Sequence, residues 1–451
     1  HHDSHRRQRQ MCIRDRMDYD PIINGGLAFA AVLALMALNI PIGISMLVVG
    51  FIGFAFISGF DPAILVLGFA PYEAVSKYSL SVMPLFVLMG NLANSANLSR
   101  NLYDAAYAVV GHYKGGLAMS TVGACGGFGM ICGSSIATAA TMAQMAGPEM
   151  KRHGYSEALI SGSIASGGTL GIIIPPSVML VIYAYLTEQS VQELFFAALI
   201  PGAIAVVLYM ITIRIFLYFY PSHGGHGKKM PINERLAAIW KVIPIFFIFV
   251  VIMAGLYLGF FTATESAAVG VILVIILIFL KGDLTIKMLT DATWSTIRTV
   301  GSLYLIVVGA SMFNFLITVT QMPFTVVDFI DSLALTPLGI ILVICAIYIV
   351  LGTLMDSLAM LFLTIPVFYP VIVDAGIDPV WFGIFAVIVV ELGLVSPPVG
   401  MNLFVIKGVM QSTPLKTIWF GTVPFLFADM IRVALIIIFP AICLYLPSLM
   451  N

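Results

Sequence analysis

The sequence predicts an all-α polytopic membrane protein built from two inverted repeats, and three observations lead to that fold class. The first is composition, since 60% of the 451 residues are hydrophobic and only 10% are charged, whereas soluble domains contain about 25% charged residues. The second is a series of apolar blocks of membrane-crossing length that account for nearly the whole chain. The third is that two of these blocks carry the same interruption at a fixed spacing.

Adjacent prolines interrupt both of these blocks. Residues 166–181 contain Pro175 and Pro176, and residues 391–405 contain the pair Pro397 and Pro398. Proline has no N–H and pushes the preceding residue out of the helical region, so each segment must break inside the membrane. Carbonyl groups freed at that depth need a ligand or a protein partner. We therefore predict a broken helix at each proline pair.

A constant offset relates the two breaks, since 397 − 175 = 222 and 393 − 171 = 222. About five full spans and one hairpin are predicted in each unit, or about 10–11 spans in all. An odd number of spans inverts the second unit relative to the first. The offset aligns further residues that determine backbone conformation: Ser135 with Ser357, Ala137 with Ala359, Pro148 with Pro370, Gly154 with Gly376, Gly171 with Gly393, and the helix N-cap types Ser156 with Asp378.

The predicted domain organisation follows from this offset. The first sixteen residues are rich in His and Arg, lack an apolar run and precede Met17, so we expect a non-native or disordered extension. The predicted boundaries are 1–16 for that extension, 17–240 for the first repeat with a hairpin at 117–150 and a broken span at 156–187, and 241–451 for the second repeat with a hairpin at 336–370 and a broken span at 379–410.

Positive charge at both ends identifies the first hairpin. Lys114 precedes its apolar segment and Lys151 follows it, so the positive-inside rule places both ends in the cytoplasm. The segment should enter the membrane and return, with its tip at residues 133–135. The second hairpin is centred on residues 352–357. Residues 60–81 mix prolines and charges with apolar residues and are predicted as a loop with an amphipathic piece.

Inverted repeats with broken helices are typical of secondary transporters, which bind substrate near the membrane midplane. Freed carbonyls and helix C-terminal ends favour a bare cation such as Na⁺, while helix N-terminal ends attract an anion. With each hairpin tip facing a break, two pseudo-symmetric cation sites are predicted. The first comprises Ser134, Ser135, Gly167, Gly168, Thr169 and Gly171, and the second comprises Thr353, Asp356, Ser357, Gly393, Ser396 and Asn402.

These residues also have a purely structural interpretation, because glycine and serine in apolar helices usually serve close packing. Asp356 is the strongest candidate, since a carboxylate at hairpin-tip depth is costly unless it is paired or binds a ligand. Glu391 carries the same cost, although it could pair with another group. Asp429 and Arg432, three residues apart on one helix, are predicted to form a structural ion pair.

Five runs of residues are specific enough to indicate a family. They are Met-Pro-Leu-Phe-Val-Leu-Met-Gly-Asn (83–91), Cys-Gly-Ser-Ser-Ile-Ala-Thr-Ala-Ala (132–140), Gly-Thr-Leu-Gly-Ile-Ile-Ile-Pro-Pro-Ser (168–177), Phe-Thr-Ala-Thr-Glu-Ser-Ala-Ala-Val-Gly (261–270) and Gly-Leu-Val-Ser-Pro-Pro-Val-Gly-Met-Asn-Leu-Phe (393–404). From about residue 25 to 448 the chain resembles the large membrane subunit, DctM type, of tripartite ATP-independent periplasmic (TRAP) transporters. Its departures are mild: Ser396 where Thr is common, and Ser266 where Ala is common.

The resemblance implies an elevator mechanism, in which both hairpins and both broken spans carry substrate and Na⁺ past a fixed scaffold. It implies Na⁺ as the coupling ion with no other cofactor, and a small organic acid such as a C4-dicarboxylate or a sugar acid as substrate. Its partners would be a periplasmic binding protein and a separate small DctQ-type membrane subunit. It further implies a multi-pass protein among the lipids of the bacterial inner membrane, with no nucleic-acid partner and no enzymatic activity.

Three alternatives stay open at this point. A stand-alone Na⁺-coupled anion symporter of related architecture would need no binding protein. An ion channel would pass ions without substrate. An intramembrane enzyme is disfavoured, because the sequence contains no HExxH or GxSxG motif.

Overall fold

The computed structural model describes residues 20–225, 227, 229–353, 355–397 and 400–450, and every regular element in these ranges is a helix. The extension predicted at residues 1–16 and Pro398 of the second proline pair lie outside the described residues.

The helices of the first part of the chain are α1 (Pro21–Ala37), α2 (Ile42–Ser58), α3 (Phe60–Ser76), α4 (Val82–Ser95), α5 (Leu98–Val110), α6 (Gly116–Cys132), α7 (Ser135–Arg152), α8 (Glu157–Ile173), α9 (Val178–Thr187) and α10 (Val191–Phe219), with 3-10 turns at Tyr78–Ser81 and Pro221–His223. Those of the second part are α11 (Ile232–Trp240), α12 (Ile243–Tyr257), α13 (Ala263–Lys281), α14 (Ile286–Val319), α15 (Met322–Ser332), α16 (Pro337–Gly352), α17 (Ser357–Asp374), α18 (Pro379–Leu394), α19 (Met401–Val409), α20 (Leu415–Ile438) and α21 (Ala441–Ser448).

Six helical stretches within the described ranges are long and apolar enough to cross a membrane: Val191–Phe219, Ile232–Tyr257, Ala263–Lys281, Ile286–Val319, Ser357–Asp374 and Leu415–Ile438. The number rises to eight if each of two bent helix pairs counts as one span. Five apolar helices are shorter, and they include the first arm of each predicted hairpin. These features confirm the all-α polytopic class. The sequence predicts about 10–11 spans, a larger number, because that prediction counts such short helices as spans.

The helices pair and break where the prolines and glycines predict. Residues 133–134 join α6 to α7, and residues 353–356 join α16 to α17. The first broken span bends by 44° between α8 and α9, and residues 395–400 separate α18 from α19. The part of the chain that the structure describes therefore contains two helical hairpins and two broken helices.

Equivalent side chains begin the two broken spans. Ser156 accepts a hydrogen bond from the Leu159 N–H at 3.2 Å and caps α8, while Asp378 accepts one from the Trp381 N–H at 2.8 Å and caps α18. Such side-chain oxygens satisfy N–H groups that have no partner inside the helix. The two caps lie 222 residues apart, as the offset predicts.

Residues 60–81 are predicted as a loop with an amphipathic piece, and the loop is wrong for Phe60–Ser76, where α3 is a helix of 17 residues that includes Pro71. Its buried side chains recur every three or four residues, at Ala63, Val66, Ala70 and Ala74, and α3 packs against α14. Burial of this apolar stripe outweighs the hydrogen bond that the proline removes. Beyond Ser76 the connection to α4 is the 3-10 turn at Tyr78–Ser81.

Two helix crossings depend on glycine pairs. Gly43 of α2 lies directly against Gly309 of α14, and Gly162 of α8 lies directly against Gly421 of α20. In lipid, helices associate through such close backbone contacts, since the surrounding acyl chains are as apolar as leucine. The crossings therefore set the distances between the helices that surround the hairpins.

We expect Gly162→Ala to destabilise the protein by about 1–3 kcal/mol, because the new methyl group overlaps the Gly421 carbonyl. Thermal unfolding of the purified protein in detergent checks this. Gly301→Ala is the matched control, since its methyl group would have no atom within 4 Å. Equal unfolding temperatures for both variants would contradict the close crossing.

Candidate functional site

The tip of the first hairpin lies against the first helix break. Gly133 ends α6 with a φ of 61°, a conformation that favours glycine, and a Cβ atom there would lie 2.8 Å from the Pro176 carbonyl oxygen. The Ser134 hydroxyl accepts a hydrogen bond from the Ala137 N–H at 3.4 Å, and its carbonyl accepts one from the Thr138 hydroxyl at 2.7 Å. These contacts fix the shape of the tip beside the break.

A glycine contact brings an arm of each hairpin onto a broken helix. A Cβ atom on Gly129 of α6 would lie 2.9 Å from the Cα of Gly171 in α8, and one on Gly352 of α16 would lie 2.7 Å from the Cα of Gly393 in α18. Gly171 and Gly393 are related by the 222-residue offset. The two predicted ligand glycines thus make the same kind of packing contact in both halves of the chain.

The prolines leave particular carbonyl groups without a helical partner. In a continuous helix the carbonyl of Gly171 would accept from residue 175 and that of Gly393 from residue 397, and both of those positions are proline. The Gly393 carbonyl accepts instead from the Ser396 N–H at 3.1 Å, in a tighter turn. The last turns of α8 and α18 therefore present carbonyl oxygens toward the breaks.

Asn402 links the two predicted sites. Its side-chain Nδ2 donates to the Ser135 hydroxyl at 2.6 Å and to the Ala165 carbonyl at 3.3 Å. Its Oδ1 is buried and has no hydrogen-bond partner among the described residues. Its predicted place, in a site with the second hairpin tip, is therefore wrong: the first turn of α19 packs against α7 and α8, and Asn402 lies beside the first tip.

Both hairpin tips line one cavity of about 170 Å³. The first tip contributes Ser134 and Ser135, and the second contributes Asp356 and Ser357. Asp356 also begins α17, where its carboxylate accepts a hydrogen bond from the Leu358 N–H at 3.2 Å. Four polar residues predicted in two separate sites thus face a shared space.

The remaining predicted residues serve other contacts. Two glycines of α8 pack against the first hairpin: Gly167 contacts Cys125 of α6, and Gly168 contacts Ala139 of α7. The Thr169 hydroxyl lies 3.3 Å from the Tyr209 hydroxyl, away from the tip. The Thr353 and Ser396 hydroxyls donate to the carbonyls of Val350 and Leu392, at 2.7 and 2.6 Å. Pro175 and Pro397 lie in the two breaks.

Two polar residues that were not predicted as site residues also line the cavity. Asn91 of α4 and Thr299 of α14 line it, and the Asn91 amide donates to the Thr296 hydroxyl at 2.9 Å, which joins the two helices. An asparagine inside an otherwise apolar span, at the end of the run 83–91, was the available signal.

A fully buried charge cluster lies behind the second break. Arg432 contacts the carboxylates of Glu391 and Asp429, each at 2.9 Å, and the Tyr209 hydroxyl donates to both Asp429 oxygens at 2.8 Å. The predicted pair of Asp429 and Arg432 is confirmed, and Glu391 has its partner in Arg432. The cluster ties α18 to α20 and α10.

Comparison with known proteins gives a consistent result for sequence and fold. A family model described as "Tripartite ATP-independent periplasmic transporter, DctM component" matches residues 29–442. The chain is 32% identical over 407 residues to the C4-dicarboxylate TRAP transporter large permease protein DctM of Pseudomonas aeruginosa, covering 86% of this chain and 93% of that protein. It is 31% identical over 378 residues to the sialic acid TRAP transporter large permease protein SiaM of Vibrio cholerae, covering 83% and 87%.

A solved structure shares the fold. The YdaH transporter of Alcanivorax borkumensis aligns with a TM-score of 0.60 at 14% identity, over 85% of this chain and 90% of that one. The family match, the permease relatives and the apolar helices establish a multi-pass protein of the bacterial inner membrane that works in transport rather than as an enzyme. The chain belongs to the DctM family, the large permease component of tripartite ATP-independent periplasmic transporters.

Proposed function

We propose that this chain imports a small organic acid, coupled to Na⁺, by an elevator movement. The observation that carries the proposal is the meeting of two hairpin tips at one cavity, beside a first helix break where Pro175 removes the N–H partner of the Gly171 carbonyl. An ion and a substrate bound there would contact the same moving elements, which is the requirement for coupled transport.

Neutral oxygen atoms around the first tip support a Na⁺ site. The Gly171 carbonyl faces a proline where an N–H would otherwise be, and the buried Oδ1 of Asn402 is without a partner among the described residues. The Ser135 hydroxyl lies within 2.6 Å of the same asparagine. Hard cations prefer carbonyl, amide and hydroxyl oxygens, so this corner suits Na⁺.

The N-terminus of α7 supports an anionic substrate. This helix of 18 residues begins at Ser135, at the cavity, whereas the N-terminus of α17 already faces the Asp356 carboxylate. The positive end of a helix dipole and its free N–H groups attract a carboxylate. The relatives named for C4-dicarboxylates and sialic acid are consistent with this class of substrate.

The position of the cavity supports an elevator movement. The cavity is lined by residues of α4 and α14, which Asn91 and Thr296 join, and by residues of the hairpin tips and the first broken helix. Displacement of the tips along α4 and α14 would carry a bound substrate with them. A small DctQ-type subunit and a periplasmic binding protein would complete the tripartite assembly that the family description names.

Reconstitution tests this proposal. The chain and its small subunit are reconstituted into proteoliposomes, and the cognate binding protein is added to the external solution. Uptake of labelled C4-dicarboxylates and sugar acids is then measured. We expect uptake of at least one acid that requires both an inward Na⁺ gradient and the binding protein, and that stops when K⁺ replaces Na⁺. Uptake without the binding protein would indicate a stand-alone symporter, and ion flux without substrate would indicate a channel.

Variants of Asp356 separate its role as a helix cap from a role in ion or substrate binding. Asparagine caps helices as well as aspartate does, so Asp356→Asn should retain stability, whereas Asp356→Ala should lose about 1 kcal/mol of unfolding free energy. Both variants should reduce Na⁺-dependent uptake roughly tenfold or more, because a charged contact at the cavity is lost.

Asp378→Asn is the matched control, since Asp378 caps α18 and does not line the tip cavity. It should leave uptake and stability unchanged. Wild-type uptake by correctly inserted Asp356→Asn would contradict a role for this carboxylate in transport.

A further inference from the structure

A large apolar groove lies on the outer surface of the helices, apart from the cavity at the hairpin tips. It has a volume of about 760 Å³ and is bounded by α5, α6, α10, α11 and α12. Val207, Phe246 and Ile239 line it and are 55%, 46% and 40% exposed. Its lining is almost entirely hydrocarbon, and Gly123, Gly126 and Gly127 of α6 keep it open.

Basic side chains gather at one end of this groove. Arg235 lies one helical turn before the lining residue Ile239, and Lys241 directly precedes the lining residue Val242. Arg235 donates to Nδ1 of His112, 3.1 Å away, and His112 follows the lining residue Val110 by two positions. Positive charge and an apolar groove are therefore contiguous.

The guanidinium group of Arg235 has a hydrogen-bond donor that could bind a further acceptor. Its Nε is buried and has no hydrogen-bond partner among the described residues. Burial and the neighbouring charges of Arg235 and Lys229 lower the pKa of His112, which is consistent with a crowded positive surface. Arg100 and Lys241 lie near the carboxylate of Asp104, and Glu149 is a second carboxylate nearby. Lys229, Arg235 and Lys241 bring positive charge to the same end of the groove.

We propose that the groove binds an anionic phospholipid, with one acyl chain in the apolar channel and the phosphate against Arg235 and Lys241. Arginine binds phosphate through paired N–H groups, and basic pockets between membrane helices on the cytoplasmic side bind anionic headgroups. The lining of the groove is predominantly apolar, which suits an acyl chain and not a free anion.

The lipid would also reach the first helix break. Ile174, which directly precedes Pro175 in the first break, lines the inner end of the groove. It also packs against Gly126 of α6 and Gly202 of α10. An acyl chain in the groove would support the backbone of the break from the side opposite the hairpin tip.

Native mass spectrometry of the full-length, delipidated protein tests the site by measuring how tightly it binds added phospholipids. Phosphatidylglycerol should bind more tightly than phosphatidylcholine of the same chain length. Arg235→Gln and Lys241→Gln should each weaken phosphatidylglycerol binding by about fivefold, with little change for phosphatidylcholine. Lys287→Gln, at an exposed basic residue away from the groove, is the matched control and should change neither.

A second variant tests the apolar part independently. Val207→Trp adds bulk to an exposed position in the groove, so the fold should tolerate it while binding of both lipids falls. Equal binding of the two lipids by the wild type, or competition by inorganic phosphate alone, would overturn the lipid site. Loss of the small subunit from Val207→Trp, with lipid binding unchanged, would show instead that the groove is a protein interface.

Discussion

Carbonyl groups that two helices cannot satisfy inside the membrane are the constraint on which the rest of this structure depends. Pro175 stands where the N–H partner of the Gly171 carbonyl would be, and Pro397 leaves the Gly393 carbonyl to accept from the Ser396 N–H in a tighter turn. Hydrocarbon offers no replacement donor, and each unsatisfied group there costs several kcal/mol. The breaks must therefore be enclosed by other polar parts of the same chain. The hairpins and the first turn of α19 provide that enclosure.

Close approach of backbones makes the enclosure possible. Gly129 meets Gly171, and Gly352 meets Gly393, so each hairpin arm reaches a broken helix without an intervening side chain. Behind the second break, Arg432 holds Glu391 and Asp429 in a fully buried cluster. Removing one partner of such a cluster leaves an uncompensated buried charge, so the cluster fixes how α18 sits against its neighbours.

The breaks, the hairpin tips and the helix caps could be predicted because short runs of residues determine them. Proline pairs dictate a break wherever they occur, and Ser156 and Asp378 cap helices through their own neighbours. The full helix at Phe60–Ser76 could not be predicted, because its stability comes from burial against α14 and not from its own composition. Local sequence contains no information about that partner.

The way in which the site residues come together could not be predicted from the sequence either. The offset identifies equivalent residues in the two repeats, but it does not say how the repeats interlock, and so Asn402 was assigned to the wrong tip. Thr169 lies among predicted ligands in sequence, yet the face of α8 that carries it points toward Tyr209. The partnership of Glu391 with Arg432 spans 41 residues, and only the packing of α18 on α20 brings them together.

Ion-specific stabilisation of the purified protein tests the central claim most directly, because it needs neither partner nor substrate. If Na⁺ binds where the first tip meets the break, rising Na⁺ should raise the unfolding temperature, by an amount equivalent to about 2.7 kcal/mol at 100 times the Kd. K⁺ and choline at equal ionic strength should not do so, and Ser135→Ala and Asn402→Ala should lose the response. An equal response to K⁺, or an undiminished Na⁺ response in both variants, would contradict this account.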